Sequence, residues 1–418
     1  PIAREVKDKP IEIEVLISLG DSYTKQEKYD KTLEFYQQAL PLANKNTKQE
    51  ASILVLIGVC YFQQGQYDLA IENFQKSLII AREIKNPTIE AQTLAGIAES
   101  YNAQKKFEKA IEFYQKALAL QQKPLNNRSA QLTIFMQIMR IYYGNANEAS
   151  LQKDYSRGMI QANEVLKLVP DALKFARELN NSKIEKEILD IQSKSYSLIG
   201  NYHLRLRELQ KADKFIQQAL TIARQSENLD AERYALSFLP EVYKDQGDIT
   251  KVIELGQREL EIAQQLRDTA FEAQSLLRLA ITYSVLGDFD KSIQFSQQAL
   301  SKSNEIDIQK LPKYSQSHAY YQKLSALGFL SLIYTNIGGY DKALEYAQQR
   351  LNFAKTLKNP EFEASALIGL GHVYQNNQEF QKSIEVTQQA LAIIKVIKNY
   401  ELEAEALKQL STTYTGKG

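Results

Sequence analysis

The sequence predicts an all-α solenoid of antiparallel helix pairs, and three observations carry that prediction. A tyrosine-anchored pattern returns about every 40 residues, apolar residues within each return fall at helical spacing, and a short polar or glycine-bearing turn divides each return into two runs. The anchors are Tyr23, Tyr61, Tyr101, Tyr142, Tyr243, Tyr283, Tyr334, Tyr374 and Tyr414, with His203 in the equivalent place, at steps of 38, 40, 41, 61, 40, 40, 51, 40 and 40 residues.

Each return reads as one helical hairpin, helix A then helix B. Leu16, Leu19, Gly20 and Tyr23 make the apolar and small face of the first helix A, and Leu33, Tyr36, Ala39 and Leu40 that of its helix B. The same unit recurs as Leu279-Ala280 with Tyr283, Phe289-Asp290-Lys291 and Gln297-Gln298-Ala299-Leu300. Gly65-Gln66, Gly247-Asp248, Gly287-Asp288 and Gly338-Gly339 mark the turns. Helix B runs on through Ile79 to Ile84 until an Asn86-Pro87 break. A hairpin cannot bury its apolar face alone, so the units must stack on one another. The expected organisation is a single array over residues 1–418, of about nine hairpins plus a final single helix.

Two irregular units are expected, at about 142–203 and 300–334. The 61-residue step suggests a polar insertion near Gly144-Asn145-Ala146-Asn147, which would weaken stacking in the centre, followed by a unit anchored on either Tyr196 or His203. The 51-residue step suggests a longer helix or loop from Ile306 to Tyr321, broken at Pro312.

The pattern resembles the tetratricopeptide repeat over nearly the whole chain, because the Leu-Gly-x-x-Tyr, Ala and Ala-Leu positions recur together. It departs from that family in having no tryptophan, no proline ending helix B, and a unit of 40 residues instead of the common 34. The extended form is similar to arrays in kinesin light chains, cell-polarity adaptors and bacterial proteins in which such repeats precede a caspase-like CHAT protease domain. The resemblance implies a right-handed superhelix that binds a protein or peptide on its concave wall. By offset from the glycine and tyrosine, it places on that wall Phe62, Gln63, Glu99, Asn102, Arg140, Tyr143, Asn201, Arg205, Tyr234, Glu241, Lys244, Asn336, His372 and Asn376. The chaperone-tail clamp of the family needs Lys and Asn at fixed helix A offsets, where this chain has Ile17, Asp21, Val55 and Val59.

Composition agrees with a binding module. Lys plus Arg number 51 against 50 Asp plus Glu, so the chain lacks the bulk positive field that favours nucleic acid, and no nucleic-acid partner is expected. One cysteine, Cys60, permits no intramolecular disulfide or thiolate cage and suits a reducing, cytoplasmic setting. No run approaches the ~20 apolar residues of a membrane span. The histidines, His203, His318 and His372, lack a second His or Cys one helical turn away. There is no phosphate loop, dinucleotide turn or nucleophile elbow. The expectation is therefore a non-enzymatic scaffold without cofactor or metal. The alternative is the sensor or substrate-recruiting part of a larger signalling enzyme such as a CHAT-type protease.

The last anchor, Tyr414, belongs to a helix A with no helix B after it. Glu403, Glu405, Lys408 and Gln409 make it a polar cap, or else the natural chain continues past Gly418 and this end exposes apolar surface. The second case predicts weak, concentration-dependent self-association that light scattering would detect; a strict monomer across a wide concentration range favours the cap.

Overall fold

A computed structural model of the chain describes residues 9–306 and 313–417. Among them every regular element is helical, apart from turns. The chain divides into two compact units, Pro1–Ala235 and Leu236–Gly418. The first contains α1 (Lys9–Thr24), α2 (Tyr29–Ala39), α3 (Lys48–Gln63), α4 (Tyr67–Glu83), α5 (Pro87–Ala103), α6 (Phe107–Gln122), α7 (Arg128–Leu151), α8 (Tyr155–Glu178), α9 (Ser182–Arg205), α10 (Leu209–Gln225) and α11 (Leu229–Leu236), at whose end the division falls. The second contains α12 (Leu239–Asp245), α13 (Ile249–Leu266), α14 (Thr269–Val285), α15 (Phe289–Glu305), α16 (Lys313–Asn336), α17 (Tyr340–Thr356), α18 (Pro360–Asn376), α19 (Phe380–Ile397) and α20 (Tyr400–Lys417). Within each unit consecutive helices pack against one another in pairs, and each pair packs on the next.

Local sequence sets both ends of each hairpin. Helix A opens on a side-chain cap: Thr47, Asn86, Asn127, Asn181, Asn228, Asp268, Asn359 and Asn399 each accept a backbone N–H of the first turn. Helix A ends where the anchor carbonyl accepts the N–H five residues on, as in Lys28 to Tyr23, Lys106 to Tyr101 and Asp288 to Tyr283, at 2.9–3.0 Å. That closure needs a left-handed residue four after the anchor. Gly65, Gly247, Gly287 and Gly338 supply it, whereas Glu27, Lys105, Arg207 and Gln378 adopt it against the steric preference of an L-residue.

The anchor register of the central unit is His203. Its carbonyl accepts Glu208 N–H at 2.9 Å, and its ring stacks on Phe215 at 5.3 Å, as Tyr23 does on Phe35 and Tyr283 on Phe295. Tyr196 lies two turns earlier on the same helix, with its ring 6.3 Å from Phe215.

The expected insertion at Gly144–Asn147 is corrected: α7 runs straight through it and turns only at Gln152–Asp154, where Asp154 N–H meets Ala149 C=O at 2.9 Å. Helices α7, α8 and α9 are each 24 residues long, seven more than the 17 of α5, which together account for the 21 extra residues of this step. Seven residues are close to two helical turns, so the added length keeps the same face inward. Met139, Val165, Ala172 and Ile188 of this stretch are fully buried in one cluster. In the second long step the 24-residue α16 supplies seven of the eleven extra residues, while Pro312 lies outside the described residues. One break was not foreseen: the helix A before Tyr243 is split into α11 and α12, with Pro240 in the first turn of the latter.

The left-handed turn position gives a direct test. Gly287 has φ +78° with no atom within 4 Å of a built Cβ, so Gly287→Ala is expected to cost about 1 kcal/mol through backbone conformation alone. Lys105→Gly, at φ 59°, is expected to gain a similar amount. Urea midpoints of the two variants should move in opposite directions.

Candidate partner-binding groove

The anchor tyrosines are committed to packing. Four of them, Tyr23, Tyr101, Tyr283 and Tyr334, stack or tilt on an aromatic twelve residues later, with ring centroids 5.4–5.8 Å apart. A lysine eight residues after the anchor covers the outer side, as Lys31 over Tyr23, Lys251 over Tyr243 and Lys342 over Tyr334 at 4.7–5.4 Å. Packing, not base stacking, explains these aromatics.

The residues expected on the concave wall divide into four sets. Asn336, His372 and Asn376 come together in the second unit around a pocket of about 390 Å³. Asn102 and Arg140 line a smaller pocket in the first unit, of about 290 Å³, where Arg140 is ion-paired to Glu187 at 2.5 Å. Gln63, Arg205 and Lys244 are exposed, Glu241 is half-exposed, and Phe62 is half-buried with its ring 5.6 Å from Tyr67. Glu99 lies at the surface of α5, where desolvation by surrounding protein raises its carboxyl above the ordinary value. The remaining three turn inward. Asn201 is 8% exposed, and Tyr143 and Tyr234 pack against the cluster of Ala146, Leu198 and Tyr202. Burial raises the Tyr234 hydroxyl, so the expectation that this side chain points away from the core is corrected. The cluster that it packs against includes Ala146, in the added turns of α7, and Tyr202 of α9.

The pocket of the second unit lies along α16 and α18 and reaches α20. Leu332, Thr335 and Asn336 come from α16, His372 and Asn376 from α18, and Glu405 from α20. Its floor is Ala347 and Arg350 of α17. The sequence reading missed Arg350, although a signal was present. Sixteen residues after the anchor stand Ala39, Ser77, Ala117, Ala219, Ala299 and Ala390, each at most 1% exposed. At that same place two hairpins carry a charge instead, Glu259 and Arg350.

Glu259 is fully buried and has an answering charge. Arg278, on the helix A of the next hairpin, brings Nε to 3.3 Å from a Glu259 carboxylate oxygen. Burial still dominates and raises the Glu259 carboxyl, with Arg278 opposing it. Elsewhere the polar groups read as structural. Cys60 is 3% exposed, its thiol reaches the Tyr29 carbonyl at 3.3 Å, and burial pushes it up to about 11, which removes thiolate character near neutral pH. His203 Nδ1 lies 2.5 Å from Glu208 at the end of its helix. Among the described residues no group of three His, Cys, Asp or Glu side chains is arranged to hold a metal ion, and no helix is long and apolar enough to cross a membrane.

Capped helix pairs, closed at a left-handed turn and stacked on small residues of helix B, define a helical-hairpin repeat protein. Tetratricopeptide repeat models match residues 15–50, 49–123 and 193–226. Those segments carry tetratricopeptide repeats, whose arrays serve generally as protein-interaction scaffolds and are typically not catalytic. No curated protein matches the sequence. Among solved structures it is similar to BtubC from P. vanneervenii, at 18% identity and TM-score 0.44 over 57% of this chain and 93% of that one. A putative kinesin light chain from Podosopora anserina with nearly identical TPR-like repeats matches at 18% identity and TM-score 0.40, over 49% and 97%. A signal transduction ATPase with a tetratricopeptide repeat sensor from Pyrococcus horikoshii matches at 16% identity and TM-score 0.46, over 94% and 55%.

The Glu259 site yields a pH prediction. Its folded-state value lies above the ordinary carboxylate value, so its contribution to stability is full below about pH 4.3 and is lost as pH rises through the folded-state value. Glu259→Gln is therefore expected to unfold at an equal or higher midpoint than the parent at pH 7, the gap closing as pH falls to about 4. A lower midpoint at pH 7 would mean that the ion pair with Arg278 outweighs its desolvation.

Proposed function

We infer that this chain is a scaffold that holds an extended peptide segment of a partner protein, and that the second unit grips it along α16 and α18. The observation that carries this reading is the convergence of Asn336, His372 and Asn376 on one pocket, beside the exposed apolar Leu332. An extended peptide presents unpaired backbone N–H and C=O groups. The amides of Asn336 and Asn376 both donate and accept, and so suit a backbone in any sequence context. Leu332 is 51% exposed and offers an apolar contact for an anchor side chain. In the first unit, Asn102 beside Phe107 repeats that pairing of amide and apolar group.

A displayed library of random peptides, selected on the purified protein, tests the reading. Enriched peptides should bind in solution, and the double replacement Asn336→Ala with Asn376→Ala should weaken them about tenfold or more, since each lost hydrogen bond is worth roughly 1 kcal/mol. The helical circular dichroism should be unchanged, because both side chains are exposed. Peptides whose affinity ignores the double replacement would place the binding surface elsewhere.

A further inference from the structure

Arg350 is an anomaly in its own repeat. The hairpin brings helices A and B together over a small residue at this place, and here an arginine stands on the floor of the groove. Room for it is made by two glycines. A Cβ on Gly328 of α16 would lie 3.1 Å from Arg350 Nε, and one on Gly369 of α18 would lie 2.9 Å from Nη1. Gly328 is six residues before its anchor, where the other hairpins carry Ile17, Val55, Ala95, Met136, Ser197, Ser237, Leu277 and Ile368. The arginine and Gly328 therefore depart from the repeat together, while Gly369 has a counterpart in Gly96.

The guanidinium inside that cradle is under-used. Nη2 donates to Ser365 Oγ at 3.0 Å and Nη1 to the Ser365 carbonyl at 3.4 Å, while Nε is sealed from solvent with no partner. Five donors thus meet the two oxygens of one serine. Burial works against the charge, and Glu405 and Tyr321 offset this only in part. Glu405 lines the pocket without closing to ion-pair distance. The Glu259 hairpin shows what is missing. There, the residue five before the next anchor is Arg278, which answers the buried charge; the residue at that position facing Arg350 is Gly369. A desolvated charge without a carboxylate at ion-pair distance is costly, and an incoming ligand that brings one relieves the cost.

We propose that the pocket over Arg350 takes a carboxylate of the bound peptide, held by the guanidinium between Gly328 and Gly369. This rests on the peptide-binding reading above and adds to it a preference for acidic segments. The group differs from the chaperone-tail clamp in its source, since the cation stands on helix B at the floor and not on helix A. One guanidinium next to Glu405 leaves little net positive charge, which suits a monoanion better than a phosphate dianion. The carboxylate has two sources, an Asp or Glu side chain or a free C-terminus, and the test separates them.

Two displayed peptide libraries are selected on the full chain, one ending in a free C-terminus and one with its C-terminus fused. Enrichment of Asp or Glu at a fixed place in both libraries assigns the side-chain source, and enrichment confined to the free-ended library assigns the terminus. An enriched peptide is then measured by calorimetry beside its neutral counterpart, with Asn or Gln for the acid or an amidated end. Arg350→Ala, which restores the ordinary repeat residue, is expected to weaken the acidic peptide at least tenfold and leave the neutral one unchanged. Gly369→Asp, which supplies an internal carboxylate where the Glu259 hairpin has Arg278, should weaken the acidic peptide likewise. Glu405→Gln should tighten it severalfold. Acetate should compete with the acidic peptide better than inorganic phosphate does. Equal losses for acidic and neutral peptides on Arg350→Ala, or stronger competition by phosphate, would overturn the proposal. If affinity ignores Arg350→Ala yet falls with Asn336→Ala and Asn376→Ala, the carboxylate site fails and the groove reading stands. If no peptide is enriched from either library, both fail.

Discussion

The structure depends on how closely two helices of a hairpin approach each other. Close approach is seen at Gly20, Gly58 and Gly200 of helix A, where a Cβ would meet Tyr36, Phe74 and Ile216 of helix B, and a small residue sixteen positions after the anchor, at Ala39, Ser77, Ala117, Ala219, Ala299 and Ala390, is sealed from solvent. A larger apolar residue there would force the helices apart, and overpacking of this kind costs about 1–3 kcal/mol. The aromatic anchor, its stacked partner and the lysine over its outer face then close the end of the pair. Since no hairpin buries its own apolar face, each interface between neighbours depends on this spacing being kept.

Two hairpins break the rule with a charged residue, and they are completed differently. Glu259 receives Arg278 from the next helix A and becomes a structural pair inside the second unit. Arg350 receives two glycines and a single serine, so its guanidinium faces the groove with Glu405 nearby but no carboxylate at ion-pair distance. The same place in the repeat thus yields a pair of opposite charges 3.3 Å apart in one hairpin and, in another, a cation with no carboxylate at ion-pair distance. What differs is the residue that the following helix contributes, Arg278 or Gly369.

Lengthened helices show a second way of departing from the period without losing the face. Adding seven residues to each of α7, α8 and α9 keeps the inward stripe aligned, because seven residues nearly complete two turns. The cost falls on the wall, since Tyr143, Asn201 and Tyr234 are drawn into the enlarged core and do not face a partner.

The sequence by itself determined the helical hairpin, its period and its anchors, because helical spacing, Asn and Asp caps and glycine turns act within a few residues of one another. It also determined which offsets lie along helix A, and three of those residues, Asn336, His372 and Asn376, do meet at one pocket. Tertiary structure alone decided whether a given offset faces solvent or a neighbour. Tyr234 was unreadable because the side chains that bury it come from helices more than 30 residues upstream. The break at Pro240 was local and legible, but the repeating pattern on either side concealed it. Arg350 stood in the sequence as a substituted alanine. Its meaning required knowing that Gly328 and Gly369, from two different hairpins, close on it in space and that no carboxylate does.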